Sequence, residues 1–511
     1  MKKSAFSIVV SAYLCICSTA ESTAPPDAYD PVPTESQLRW HEMEYYGLIC
    51  YGLNTYTGQT WGYGNVDPSV LNPSHLDTDQ WAKAAKDGGM RGLILVAKHH
   101  DGFCLWPSKT TRYTIAASPW KDGKGDILRD MADSCKKFGL KLGVYISPWD
   151  RNHAEYGREQ YVKDFHQQWR EVLEYDNDIF EVWLDGANGG TGWYGGADER
   201  RTISEDYYQE DKLFKLCKER QPRTVIFNMT YKSDVVRWIG NERGMTPETH
   251  WCRVAFDELL KGNSKKRRSV MKVLRQNGMK DGDVWMPAEA DTPFHKGWYW
   301  AASRPEKDLE WLRSTYYTTI GRGASLNLGL SPAKDGLLTP STVTTLKGLK
   351  AYLDRVFAVN LVDLAVVTAD NVRGGDDAAF GTARMKDQDI STYWSTDDGV
   401  GKAVVSIAFG KATKFDHLLM QEHIALGQRV HAFSLDVQTA DGRWETATSG
   451  TTVGYKKIMI FEPRTASKVR LTLETDAPCL TLATLGLYRG ILPVASREGE
   501  SKEDGDVNGA G

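Results

Sequence analysis

Between Leu48 and Gly329 the chain repeats one pattern: a short apolar run, a polar turn, then an amphipathic stretch. The apolar runs are Leu48–Asn54, Leu93–Ala97, Lys141–Ser147, Ile179–Leu184, Val225–Asn228, Val236–Gly240, Val284–Pro287 and Ser325–Gly329. Several are apolar on both faces, as strands covered on both sides must be. Two of the intervening stretches carry clear helix punctuation. Asp77–Lys86 sets Trp81, Ala84 and Ala85 on one face and stops at Gly88-Gly89. Asp126–Phe138 aligns Ile127, Met131 and Cys135 and stops at Gly139. Strands alternating with helices in this way predict an α/β fold, a (β/α)8-like TIM barrel over 35–355.

Near Leu361 the pattern changes. Ala403–Ala408, Ala432–Gln438, Lys457–Phe461, Val469–Leu473 and Leu480–Leu487 read as short strands separated by turn signals. They predict an all-β antiparallel sandwich over 361–490. Residues 496–511 are polar and Gly-rich, have nothing to bury, and are expected to be disordered. At the other end, Met1-Lys2-Lys3, an apolar run from Ala5 to Cys17 and the small Ser18-Thr19-Ala20 resemble a signal peptide over 1–20. Export to the periplasm, the cell surface or the medium is expected. Leu14-Cys15-Ile16-Cys17 also leaves lipoprotein processing open. The apolar run is too short to span a bilayer, and no other long apolar stretch exists. A net charge of -4 from balanced signs provides no basic surface, so nucleic acid is not an expected partner. The six cysteines beyond the leader form no C-x-x-C pair, so neither a zinc site nor a disulfide framework is indicated.

Barrel enzymes work at the C-terminal ends of their strands. Four polar clusters follow apolar runs directly: Lys98-His99-His100-Asp101-Gly102, Pro148-Trp149-Asp150-Arg151-Asn152, Asp185-Gly186-Ala187-Asn188 and Asn241-Glu242-Arg243-Gly244. Two carboxylates at one mouth suit glycoside hydrolysis, where a retaining enzyme holds nucleophile and acid/base about 5–5.5 Å apart. Asp185 is the candidate nucleophile, because a strand fixes its position and Gly186 leaves room for a ring. Glu242 is the candidate acid/base, its carboxyl raised by a dry pocket and a neighbouring carboxylate. An Asp ending a strand can equally be a helix cap or half of an ion pair. His99 and His100 can hydrogen-bond sugar hydroxyls as neutral imidazoles. Adjacent residues of an extended strand point to opposite faces, so no metal is expected there, and no cofactor is required. The 17 Trp residues offer sugar-stacking faces as well as core.

These clusters, with LICYGLNTYTGQTWGYG, AKHHDGFCLWPSKTTRYT, GVYISPWDRN, EVWLDGANGG, RWIGNERG and SLNLGLSPAKDGLL, resemble glycoside hydrolase family 29, the retaining α-L-fucosidases. SPWDRN and GNERG resemble the branch that prefers α-1,3/1,4-linked fucose. That branch also carries a C-terminal sandwich, to which ALGQRVHAFSLDV, GTTVGYKKIMIF and KVRLTLE are similar. The resemblance implies an exo-acting enzyme on fucosylated oligosaccharides or glycoconjugates. It assigns Asp185 as nucleophile and Glu242 as acid/base. It puts His99, His100 and Trp183 in the fucose pocket, with Trp61 and Trp149 as neighbours. Glu289 is a reserve acid/base or a substrate contact. The sequence departs from the family at Cys50, where a sugar-contacting His is usual, at EADTPFHKGWYW and at TTIGRG. These departures leave two alternatives: a related glycone such as α-L-galactose, or a glycan-binding member that does not cleave.

Overall fold

The computed structural model describes residues 23–187, 189–204, 206–229, 231, 233–256 and 275–490. The expected signal peptide over 1–20 and the disordered tail over 496–511 lie outside the described residues. The strands of the first half are β1 (Tyr45–Ile49), β2 (Gly92–Lys98), β3 (Lys141–Ile146), β4 (Glu181–Trp183), β5 (Thr191–Tyr194), β6 (Ala197–Arg200), β7 (Val225–Phe227), β8 (Val235–Trp238), β9 (Arg253–Val254), β10 (Val284–Trp285), β11 (Ala288–Pro293) and β12 (Ser325–Leu330). Eight of them close a parallel barrel in the order β1-β12-β11-β8-β7-β4-β3-β2. The expected (β/α)8-like barrel is thus the observed fold.

The helices stand where the punctuation put them. Thr34 caps α1 (Glu35–His41) in a reciprocal capping box with Gln37. Asp77 caps α3 (Thr78–Asp87), which follows the short α2 (Leu53–Thr57). Asp126 caps α4 (Ile127–Phe138), and Gly139 ends it in the left-handed conformation at φ 66°. Next come α5 (Glu159–Val172), α6 (Glu210–Arg220), α7 (Leu309–Thr319) and α8 (Pro340–Val356). Trp81 of α3 is fully buried, and its indole N–H donates to the Gly336 carbonyl at 2.9 Å. Among the described residues, no helix is long and apolar enough to cross a membrane.

One barrel strand differs from expectation. Val284–Pro287 is not the seventh strand, because its first two residues pair antiparallel with β9 outside the barrel. The barrel strand is β11, whose sequence AEADTP looks polar. Its alternation explains this. Ala288 and Ala290 pack outward with Ile239 and Ala324, while Glu289 and Asp291 occupy the alternate, inward-facing positions. A hydropathy reading misses a strand that turns its acids to the barrel interior.

The second half is an antiparallel sheet domain. Its strands are β13 (Ala365–Ala369), β14 (Trp394–Ser395), β15 (Lys402–Gln421), β16 (Val430–Gln438), β17 (Trp444–Gly450), β18 (Lys457–Thr475), β19 (Thr481–Leu482) and β20 (Thr484–Tyr488). The large sheet runs β13-β15-β18-β16-β17, with β20 also on β15, and β14 pairs with β19 separately. Two expectations are corrected. Lys457–Phe461 and Val469–Leu473 are parts of one 19-residue strand, and Ala403–Ala408 is the start of a 20-residue one. The register between these two long strands shifts after Ala408 and Phe415. Such bulges let a strand bend and serve both ends of a sandwich. β13 and β17 were not expected, since their exposed positions mask the alternation. Trp394, Val405, Leu418, Leu435, Leu471 and Leu482 fill the core between the layers. The two halves share an apolar seam, in which Tyr317, Tyr352 and Val356 meet Leu419, Ile458 and Tyr488.

Cys50, Cys104, Cys135, Cys217, Cys252 and Cys479 are buried free thiols. A buried ion pair ties the mouth of the barrel together. Lys98, at the end of β2, donates to Asp150 at 3.2 Å, to the Tyr161 hydroxyl at 3.0 Å and to Gln168 at 2.9 Å. Burial pushes the Asp150 carboxyl up, but Lys98, His153 and two backbone N–H groups outweigh it and hold the group below its usual range. Lys98→Ala should therefore strand a buried carboxylate and cost about 3–5 kcal/mol in urea denaturation. A loss under about 1 kcal/mol would mean that the pair is dispensable.

Candidate active site

The floor of the barrel mouth is one rung of aromatic rings. Parallel register pairs Tyr145 of β3 with Trp183 of β4, and Trp183 with Phe227 of β7. Their side chains stack, with centroids 4.8 Å apart for Tyr145–Trp183 and 4.2 Å for Trp183–Phe227. Asp185 lies two residues beyond β4, directly above this rung. The Tyr145 hydroxyl donates to Asp185 Oδ2 at 2.7 Å, and the Ala187 N–H donates to Oδ1 at 2.6 Å. Both carboxylate oxygens are thereby aimed before anything binds. The space at Gly186 is taken by Asn228, whose amide nitrogen would lie 2.7 Å from an added Cβ. That space therefore does not hold a ring.

His99 and His100 converge here. The strand ends at Lys98 and the chain turns, so the opposite-face argument fails. The two imidazole centroids are 4.0 Å apart, and ring nitrogens of both gather with an Asp185 oxygen within 4.8 Å of one another. Burial keeps both rings neutral. It lowers His99 well below the usual value, with help from His100, and brings His100 down to about 3, with help from Arg151 and Lys98. The His100 tautomer follows from its neighbours. Ser147 Oγ donates its hydrogen to the Trp149 carbonyl at 2.9 Å. It must therefore accept from His100 Nδ1, 2.7 Å away. His100 Nε2 then carries a lone pair and faces Asp185 Oδ2 at 3.8 Å. Two acceptors at that separation call for a donor or a cation between them.

Glu242 lies on the loop after β8. Asn241 shapes this loop by accepting from Arg243 N–H at 3.1 Å and donating to the Met245 carbonyl at 3.1 Å. At Gly244, φ is +62°, and a Cβ would meet Thr292 and Thr315 at 2.8 Å, so only glycine fits. The Glu242 side chain is exposed at the rim but crowded on its inner side. That crowding raises its carboxyl and the charge of Asp185 adds to the rise, while the Trp298 indole N–H, 3.1 Å from Oε2, opposes it. Asp291 of β11 is buried, and its Oδ1 accepts from Trp238 at 2.7 Å. Burial and the charges of Glu242 and Glu289 hold it well above the usual carboxylate range. Cys50 is buried, and burial raises its thiol, with the charges of Asp291 and Glu242 adding to the rise.

Glu289 does not join this group at the mouth. It is fully buried and accepts from the Trp183 indole at 2.8 Å, from Asn327 at 3.0 Å and from the Tyr46 hydroxyl. Its neighbour Glu181 is equally buried and accepts from the Trp40 indole at 3.0 Å. Burial raises both carboxyls. The Glu289 charge raises Glu181 further, whereas hydrogen bonds from Glu181, Trp183, Tyr46 and Asn327 restrain Glu289. Both carboxyls are thereby held above the usual range. Trp183 spends its N–H on this pair and both its faces on Tyr145 and Phe227, so it builds the floor. At the rim, Trp61 is 40% exposed and stands edge-on to His100 at 5.1 Å and Trp149 at 5.8 Å. Trp149 is buried, tilted against His100 at 5.4 Å.

The arrangement thus holds an aimed carboxylate, a second carboxyl with a raised proton affinity, neutral imidazoles and an aromatic rim. Residue reasoning missed Tyr145, Ser147, Asp291 and Trp298. Tyr145 and Ser147 lie in or just after an apolar strand and look like packing. Asp291 and Trp298 lie in the segment read only as divergent.

Known proteins resemble the chain over most of its length. The α-L-fucosidase family profile matches residues 31–356. Alpha-L-fucosidase 1 of Arabidopsis thaliana is 34% identical over 470 residues, covering 91% of this chain and 89% of its own length. The crystal structure of a glycoside hydrolase 29 family member from an unknown rumen bacterium is 38% identical with a TM-score of 0.79, over 93% of this chain and 80% of that one. A Ruminococcus gnavus family 29 fucosidase in complex with fucose is 29% identical with a TM-score of 0.82, over 92% and 97% of the two chains. The chain belongs to the α-L-fucosidase family, glycoside hydrolase family 29, and is a glycosidase of the fucose-releasing class.

Proposed function

We propose that this enzyme releases terminal α-L-fucose, α-1,3/1,4-linked, from exported-side oligosaccharides or glycoconjugates by double displacement with retention. Asp185 attacks the anomeric carbon as Glu242 protonates the leaving oxygen. Water then cleaves the glycosyl ester, with Glu242 acting as base. The observation that carries the reading is the double hydrogen bond aiming Asp185, together with the raised carboxyl of Glu242 whose proton affinity Asp185 itself increases. His100 Nε2 accepts a sugar hydroxyl, and the exposed face of Trp61 receives the leaving sugar. The chain needs no cofactor for this chemistry. The linkage rests on SPWDRN and GNERG, and export on the leader. Cys50 favours one second reading. A small thiol, which donates poorly, stands where the family has a His, and this suits a glycone with an added 6-hydroxyl such as α-L-galactose.

The deciding experiment measures nitrophenol release from aryl α-L-fucoside and aryl α-L-galactoside. Fucoside cleavage is expected to be the faster. A preference for the galactoside would transfer the reading to that sugar, and cleavage of neither aryl glycoside nor a branched fucosyl oligosaccharide would leave a binding protein. Asp185→Gly should lower kcat by about 10³-fold or more, with partial recovery in azide. Full activity in that variant would remove Asp185 as nucleophile. The pH profile gives a third check. Glu242 must be protonated to act as acid, so the rate falls as pH rises through its raised pKa. Trp298→Phe removes a hydrogen bond that stabilises the ionised form, and should move this alkaline limb to higher pH. A limb that stays in place would assign it to another group.

A further inference from the structure

We propose that the sugar pocket is also a site for a divalent transition cation, typified by Zn2+, held by His99, His100 and Asp185 in competition with the glycone. Nothing in the reaction above needs this ion. The site follows from three features of the geometry. First, one ring nitrogen from each His and one Asp185 oxygen lie within 4.8 Å of one another. Tetrahedral zinc with ligand bonds near 2.0–2.1 Å sets its donors about 3.3 Å apart. The 3.8 Å between His100 Nε2 and Asp185 Oδ2 is close to that.

Second, His100 is prepared as a ligand. Its Nδ1–H is committed to Ser147 Oγ, and Ser147 is itself locked by donating to the Trp149 carbonyl. This leaves the Nε2 lone pair aimed at the nucleophile, the arrangement that a metal-bound imidazole uses to fix its tautomer. Third, His99 Nδ1 is buried without a hydrogen-bond partner, so that ring holds unused donor capacity. Two imidazoles and a carboxylate, with the pocket mouth open for water, form a donor set that suits zinc, copper or nickel better than calcium or magnesium. The surrounding charges do not forbid it. Lys98 is neutralised by Asp150, and Arg151 is engaged by the Tyr63 and Trp149 rings and by the Gly62 and Thr191 carbonyls.

The test is calorimetric titration of Zn2+ into the full chain, with far-UV circular dichroism to check the fold of each variant. One tight site is expected. It should weaken by about 10–100-fold in Ser147→Ala, which removes only the acceptor of the Nδ1–H. It should be lost in His99→Gln and in His100→Gln. In the aryl fucoside assay, Zn2+ should raise KM in proportion to its concentration and leave kcat unchanged; this arm alone rests on the proposed reaction. Unchanged zinc affinity in the two His variants would place the ion elsewhere and overturn the proposal. Fucoside cleavage that is indifferent to millimolar Zn2+ would overturn it as well, while leaving the reaction intact. Zinc binding that follows the variants in a protein that cleaves no fucoside would keep the site and remove the reaction.

Discussion

The stack of Tyr145, Trp183 and Phe227 across three parallel strands is the contact on which the rest of the catalytic mouth depends. In-register neighbours in a parallel sheet point the same way, so three aromatic positions on β3, β4 and β7 become one continuous surface. Each ring constrains the next. Trp183 cannot tilt without breaking its hydrogen bond to Glu289, and Tyr145 cannot slide without leaving Trp183. The Tyr145 hydroxyl is delivered to Asp185 by this packing rather than by a flexible side chain. A carboxylate on a loop thus acquires the precision of a strand.

Under the floor lies a polar layer that a hydrophobic barrel would not need. Glu181 and Glu289 gather indole, phenol and amide donors from Trp40, Trp183, Tyr46 and Asn327. Without these donors two buried acids would be destabilising; with them they become a tether for the aromatic layer above. Polarity increases again at the mouth, where Asp291 and Glu242 bring further carboxyl groups. The barrel interior is therefore graded, with a hydrogen-bonded base, an aromatic middle and a charged top.

Much of this could be read from the residues. Asp185 and Glu242 follow strands that hydropathy marks clearly, and Asp77, Asp126 and Gly139 delimit their helices by local chemistry alone. What escaped did so for identifiable reasons. β11 hides because its outward positions are alanines and its inward ones are acids. Tyr145 hides because an interior tyrosine has the same pattern as a packed one, and its role depends on Asp185, forty residues later. The opposite-face reading of His99 and His100 extends a strand two residues beyond its end at Lys98. The long strands β15 and β18 were divided because their bulges interrupt the alternation that sequence reading follows.

The six described thiols have a consequence of their own. Each is buried and none is joined to another, so folding of the described residues involves no oxidation step. Stability rests on the two cores and the seam between them. Among the described residues, an oxidising medium therefore meets no exposed cysteine sulfur to cross-link, and a reducing one has no bridge to open.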